Sequence, residues 1–156
     1  MNVCRNRAAV PTAELLSHLH ADHARLDEAL ADLEGLLAGL ADGHDQDQLE
    51  TIARLVRHET RVHFAEEELL LDRLGPRFER LADGVRAEHR ALRGEAAGFE
   101  SLVMAALGDV LVSRTLLVVT ASNLLHALRA HMKREEAELV PVLEAELGAA
   151  AHPSTP

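Results

Sequence analysis

The chain has 156 residues, is 47% hydrophobic but only 2% aromatic, and carries a formal net charge of −10 at pH 7. This length suits a single domain with a buried core, and an apolar content made mostly of Leu, Ala and Val is typical of packed helices. The negative charge argues against a nucleic-acid surface, which depends on clustered Lys and Arg. A single cysteine, Cys4, excludes both an internal disulfide and a cysteine-based zinc site.

Nothing in the sequence indicates a membrane protein or an exported one. The most apolar stretch, residues 116–125, is too short and too interrupted to cross a bilayer. The basic segment 1–7 lacks the apolar centre of a signal peptide. We therefore expect a cytoplasmic, soluble protein without a membrane or nucleic-acid partner.

The first two predicted helices follow from apolar residues that recur at steps of three, four and seven. This spacing predicts the first helix over about residues 12–40, ended by the break at residues 43–45. A capping-box pattern at residues 47–50 starts the second helix, which continues to Leu74 and is stopped by Gly75 and Pro76.

The third and fourth helices are predicted in the same way. The third covers about residues 78–107 and is followed by a turn at Gly108 and Asp109. The fourth runs from about residue 110 to residue 147, with Pro141 predicting a kink or a break.

Together these elements predict an all-α fold. Four long helices joined by short loops favour antiparallel neighbours, and hence an up-down-up-down four-helix bundle. We expect the bundle to occupy residues 12–148, with a disordered leader at 1–11 and a disordered tail at 149–156.

A repeated pair of side chains is the strongest chemical signal. His63 precedes Glu67 by four residues, and His131 precedes Glu135 by four residues, 68 positions further along the chain. Residues i and i+4 share one face of a helix, so each pair can direct an imidazole and a carboxylate to one point. A duplicated pair indicates two metal ions.

The first and third helices carry a second repeat. His23 and His89 both lie in the pattern apolar-x-x-acid-His-x-x-Leu, and they are 66 positions apart. The chain therefore reads as two helical hairpins related by a pseudo-two-fold axis. Each hairpin supplies one His from its first helix, and one His and one Glu from its second.

The predicted metal site combines four imidazoles with two carboxylates. If both carboxylates bridge and two His bind each ion, every metal has four protein donors, and a bridging oxide or hydroxide makes a fifth. This mixed nitrogen and oxygen set favours two non-haem iron ions over manganese or zinc, and leaves a position open for a small molecule. The predicted ligands are His23, His63, Glu67, His89, His131 and Glu135.

Several neighbouring residues keep two interpretations. Glu68 and Glu136 either orient a ligand His or are solvated surface charges. His20 lies about 60° round the helix from His23 and either supports or replaces it. The residues after the two ligand His, Phe64 and Met132, line a gas pocket or simply pack in the core. His18 is also available on the first helix, where His23 is favoured by its alignment with His89, and the His at positions 44, 58, 126 and 152 are expected outside the centre.

Other metal-protein classes fail on spacing or composition. Ferritin-like di-iron proteins use Glu-x-x-His pairs, and this chain contains none. A zincin helix needs His-Glu-x-x-His, but His58 and His63 are one residue too far apart. A tyrosyl-radical enzyme needs a tyrosine, and the chain has no Tyr.

The motifs resemble those of the hemerythrin-like family, also described as the His-His-Glu cation-binding domain. The likeness covers residues 12–147 and rests on Asp22-His23, Glu88-His89 and the two His-x-x-x-Glu-Glu segments. It implies a four-helix bundle around a non-haem di-iron centre with an oxygen-derived bridge. Two departures matter. The oxygen carriers have a further His four residues after the ligand of the third helix, where this chain has Arg93, and their last carboxylate is an Asp five residues after its His.

Three functions remain compatible with the sequence. The centre could bind dioxygen or nitric oxide for storage, delivery or sensing, or it could be a catalase-like or peroxidase-like enzyme or one that reduces nitric oxide. The missing fifth His favours peroxide or nitric oxide chemistry over plain oxygen carriage. A third option is a regulator whose iron occupancy controls folding. In each case the expected partner is a small gaseous or peroxide ligand, and the chain is expected to be a monomer or weak homodimer.

Overall fold

A computed structural model describes residues 11–42, 46–108 and 110–148, and these form an all-α four-helix bundle. The predicted fold class is therefore confirmed. The expected leader up to residue 10, the break at residues 43–45, Asp109 and the tail at 149–156 lie outside the described residues. The predictions for Cys4, His44 and His152 fall on these parts and stay predictions.

Two of the four helices are interrupted by wider, π-helical turns. The first helix, Thr12–Asp42, and the third, Glu79–Leu107, are α-helical throughout, and a 3₁₀ turn, Pro76–Phe78, precedes the third. The second helix consists of Gln46–His58, the π-helical turn Glu59–His63 and Phe64–Leu71. The fourth consists of Arg114–Arg134, the π-helical turn Glu135–Leu139, Val140–Leu143 and the π-helical turn Glu144–Gly148.

Two predicted helix limits were wrong by one turn or less. The fourth helix begins at Arg114 rather than near residue 110, because Ser113 has extended backbone and its hydroxyl accepts the N–H of Leu116 at 3.4 Å. The second helix ends at Leu71 rather than Leu74, and hydrogen-bonded turns carry the chain on to Gly75.

Pro141 does not break the fourth helix. It lies in the first turn of the stretch Val140–Leu143, directly after a π-helical turn. The π-helical turn accommodates the missing N–H of proline, since the N–H of Val140 just before it already bonds five residues back, to the carbonyl of Glu135. We predicted a kink or a break at Pro141, and the prediction of a break is wrong.

The core is divided into two hydrophobic clusters, and the predicted ligands separate them on every helix. On the first helix, His23 lies between Leu19 of the smaller cluster and Leu26 of the larger one. On the third helix, His89 lies between Val85 and Leu92 in the same way. The polar residues therefore form a layer across the bundle, closed above and below by apolar side chains. Among the described residues, no helix is long and apolar enough to cross a membrane.

Candidate metal centre

All six predicted ligands meet in this layer, and each is at most 4% exposed. Burial of four imidazoles and two carboxylates is costly unless they pair with one another or with a cation. The bundle therefore brings together the full predicted set from four different helices: His23, His63, Glu67, His89, His131 and Glu135.

The six side chains form two groups of four that share both carboxylates. His23 and His63 form one group with Glu67 and Glu135, while His89 and His131 form the other group with the same two residues. Within each group the potential donor atoms all lie within 4.8 Å of one another. Two groups with two common carboxylates have the arrangement expected of two metal ions joined by bridging glutamates.

Glu67 faces both groups at once. Its Oε1 lies 3.4 Å from Nε2 of His23 and 3.2 Å from Nε2 of His63. Its Oε2 lies 3.2 Å from Nε2 of His89, in the other group. One carboxylate oxygen is thus available to each metal position.

Glu135 repeats this arrangement from the fourth helix. Its Oε1 lies 2.9 Å from Nε2 of His131 and 3.4 Å from Nε2 of His89. Its Oε2 lies 3.7 Å from Nε2 of His23. All four imidazoles therefore turn Nε2 inward, toward the two shared carboxylates.

The outer nitrogens of two imidazoles are held by carboxylates close enough for hydrogen bonding. Glu68 Oε1 lies 3.1 Å from Nδ1 of His89, and Glu88 Oε2 lies 2.8 Å from Nδ1 of His131. Carboxylates in this position fix the orientation of a ring and increase the basicity of its other nitrogen. Of the two interpretations of Glu68, the structure favours the orienting one.

The other two imidazoles have the corresponding carboxylates at longer range. Asp22 Oδ2 lies 3.6 Å from Nδ1 of His63, and Glu136 Oε1 lies 3.8 Å from Nδ1 of His23. Glu136 is 53% exposed, so it retains part of the solvated character that was its alternative interpretation. Asp22 and Glu88 are carboxylates whose role could not be recognised from the sequence, although an acid directly before His in both hairpins was the available signal.

The remaining described histidines lie outside the centre. His20 is half exposed and pairs with Glu144 at 3.1 Å, so it neither replaces nor supports His23. His18, His58 and His126 are exposed. The preference for His23 over His18, and the expectation that His58 and His126 lie outside the ligand set, agree with these positions.

Arg93, which occupies the position of the carriers' further His, turns away from the centre. In the π-helical turn, the N–H of Phe64 donates to the carbonyl of Glu59, five residues back, instead of to the carbonyl of Thr60, four residues back. The Thr60 carbonyl therefore lacks its usual helical donor. Arg93 Nε donates to that carbonyl at 2.9 Å, and its terminal nitrogen donates to Glu68 at 2.8 Å. Arg93 therefore supports the helix and an orienting carboxylate, and adds no donor to the metal positions.

The two residues after the ligand histidines belong to the core. Phe64 stacks on His89 with ring centroids 4.0 Å apart and planes 4° from parallel. Both Phe64 and Met132 are members of the larger hydrophobic cluster. Of their two interpretations, core packing is the one that these contacts support.

Glu59 is a buried carboxylate that sequence reasoning missed. It is 5% exposed, and its Oε1 lies 3.5 Å from Nε2 of His63 without a hydrogen-bond partner. Burial raises the pKa of this carboxyl above its ordinary value. The only available signal was its position four residues before His63, which has no counterpart in the second hairpin.

The charges of the buried groups are mutually dependent. Burial alone would lower the pKa of His63 and of His89, but contacts with Glu67, and for His89 also with Glu135, raise both to about 9. Burial works against ionisation of Glu67 too, yet the close imidazoles of His23, His63 and His89 hold its pKa well below the usual value. Without a metal, protons on the imidazoles therefore balance the buried carboxylates.

The protein alone leaves part of this layer unsatisfied. Among the described residues, Glu59 Oε1, Glu67 Oε2, Glu135 Oε2 and His131 Nε2 are buried without a hydrogen-bond partner. His131 Nε2 is close to Glu135 but not aligned for a hydrogen bond. Unpaired buried acceptors are costly, and cations between them would satisfy all four atoms. The donor set thus fits metal ions.

Comparison with known proteins gives one result. The family model described as the hemerythrin HHE cation-binding domain matches residues 14–143. No curated protein and no solved structure shows a significant match. The matched region contains all six converging residues and most of the bundle, and the chain therefore belongs to the hemerythrin HHE cation-binding domain family.

Proposed function

We propose that this chain is a non-haem di-iron protein that takes up dioxygen, peroxide or nitric oxide. The observation that supports the proposal is the pair of four-donor groups that share Glu67 and Glu135. Each group offers two imidazole nitrogens and two carboxylate oxygens, a mixed set that suits iron. Cation binding is the property that the family description names, and iron is what we propose for this chain.

The protein side chains would divide the work around such a pair of ions. Four imidazoles and two glutamates would hold the metals, while Glu68 and Glu88 orient the rings of His89 and His131. The two hydrophobic clusters limit access of bulk water to the layer. When bound, paired iron would supply the reversible binding and redox chemistry of small oxygen and nitrogen species.

A second candidate is an enzyme that decomposes peroxide or reduces nitric oxide. It is favoured by the position of Arg93, whose guanidinium is committed to Thr60 and Glu68. Without a further His, each group has four protein donors, and more of each coordination sphere is open to outside molecules. We place simple uptake first because it requires only the metal-ligating side chains that the bundle brings together.

Metal analysis of the protein from iron-supplied cells tests the first proposal. We expect two iron ions per chain and the near-ultraviolet absorption of a paired ferric centre. His63→Ala should lose iron, whereas His58→Ala, which removes an exposed imidazole from the same helix, should retain it. Zinc alone in the wild-type protein, or equal iron in both variants, would contradict the proposal.

Stopped-flow mixing with hydrogen peroxide separates uptake from turnover. A stoichiometric colour change without oxygen release supports the binding protein. Sustained oxygen evolution that disappears in His63→Ala but persists in His58→Ala supports the enzyme. Nitric oxide is tested in the same apparatus, without oxygen, by following its consumption.

A further inference from the structure

The two halves of the centre differ in how they meet the solvent. Between the third and fourth helices, an open cavity of about 310 Å³ reaches inward to Glu135. It is also lined by Val85, Glu88, Arg134 and Glu138. Both Glu88 and Glu135 contact His131, so this opening leads to the half of the centre formed by His89 and His131.

The equivalent place between the first and second helices is closed. The gap there has no room for a water molecule. Its lining includes Leu19, Asp22, Glu67 and Leu70. The repeat offsets of 66 and 68 place these four residues opposite Val85, Glu88, Glu135 and Glu138, so the two cavities are counterparts.

One substitution between the halves explains much of this difference. Leu70 is 1% exposed and packs in the smaller hydrophobic cluster, where it covers Glu67. Its counterpart Glu138 is exposed, because a carboxylate at that place stays in water. The second hairpin thus lacks the apolar cover that the first hairpin has.

The closed half also contains the additional carboxylate. Glu59 Oε1 is buried, unpaired and 3.5 Å from the inward nitrogen of His63. The repeat offset of 68 places Ala127 at the equivalent position, so the other half has no such oxygen. A metal at the His23 and His63 position would have a fifth protein donor within reach, and a metal at the other position would not.

We propose that the two metal positions are unequal: Glu59 is a further oxygen donor for the position held by His23 and His63, and the opening beside Glu138 admits small molecules to the position held by His89 and His131. This inference rests on the proposed metal centre. Molecules of the size of peroxide, nitric oxide or azide fit the opening, and they meet the half with fewer protein donors.

Titration of the metal-free protein with Co²⁺ tests the role of Glu59. We expect two ions per chain with unequal affinities, and Glu59→Gln should weaken one of the two steps by about 10- to 100-fold. Glu50→Gln, an exposed change on the same helix, should leave both steps unaltered. Two unchanged steps in Glu59→Gln would overturn the assignment, while failure of the wild-type protein to bind two ions would refute the metal centre itself.

Stopped-flow binding of azide to the iron-loaded protein tests the opening. Glu138→Leu copies the cover of the closed half and should slow azide binding several-fold, whereas Glu138→Gln preserves size and should keep the wild-type rate. Equal rates in the two variants would overturn the proposed access. Iron content and the absorption spectrum are measured in parallel, so that loss of access is distinguished from loss of metal.

Discussion

Loading the centre with a divalent metal should release protons in a number that the structure allows us to work out. The pKa values of His63 and His89 are raised to about 9 by the buried carboxylates. At pH 7.5 each imidazole is therefore about 97% protonated, and each must lose about one proton before its nitrogen can bind a metal. Between pH 7 and 8.5 the affinity of each position should rise about 10-fold per pH unit, and the overall constant for loading both ions about 100-fold, because each position loses about one proton.

Isothermal titration with Co²⁺ at pH 7.5, in two buffers of different ionisation enthalpy, counts these protons directly. We expect at least about two per loaded chain, from His63 and His89 and in part from His131, whose pKa is also raised, and about one fewer in His63→Ala. His58→Ala, which changes an exposed imidazole, should leave the count unaltered. An affinity independent of pH, or a release of less than about one proton, would refute the charge balance inferred for the buried layer.

Three further outcomes follow from burial and charge. Because the folded-state pKa of His63 exceeds its unfolded value, its contribution to the stability of the metal-free protein should be fully present at about pH 6 and fall by on the order of 3 kcal/mol as pH rises through 9; denaturant unfolding at both pH values measures this, and equal stability would contradict it. Removal of metal by chelation should lower the melting temperature and helicity seen by circular dichroism, since the buried donors then lose their cations; unchanged values would argue against a sensor. Phe99→Ala, at a fully buried core position, should cost about 3–5 kcal/mol without changing the number of metals bound.

The bundle and the converging residues could be predicted because they depend on local spacing. Apolar residues at steps of three and four define the helices, and the same period places His63 and Glu67 on one face. Repetition of the pattern at His131 and Glu135 then relates the two hairpins without any knowledge of the tertiary structure. His23 was distinguished from His20 by its match with His89, and the burial of His23 agrees with that choice.

Features that depend on packing between helices could not be predicted in this way. Glu59 resembles any helical carboxylate in sequence, and only the fold shows that it is buried beside His63. The role of Arg93 depends on a carbonyl that the π-helical turn releases on a neighbouring helix. The fourth helix begins later than predicted, at Arg114, because the backbone of Ser113 is extended. The sequence pattern around Ser113 did not show that this residue lies outside the helix.

The differences between the hairpins are more informative about function than their similarities. In a symmetric pair of sites, the two metal positions would be equivalent, and each would have the same path from the solvent. Here Glu59 stands where the second hairpin has Ala127, and Leu70 stands where it has Glu138. Both residues affect the same half of the centre, since Glu59 offers an oxygen donor beside His63 and Leu70 covers Glu67. Since neither change alters the six converging residues, the proposed centre would retain both metal positions and leave only one of them open to small molecules.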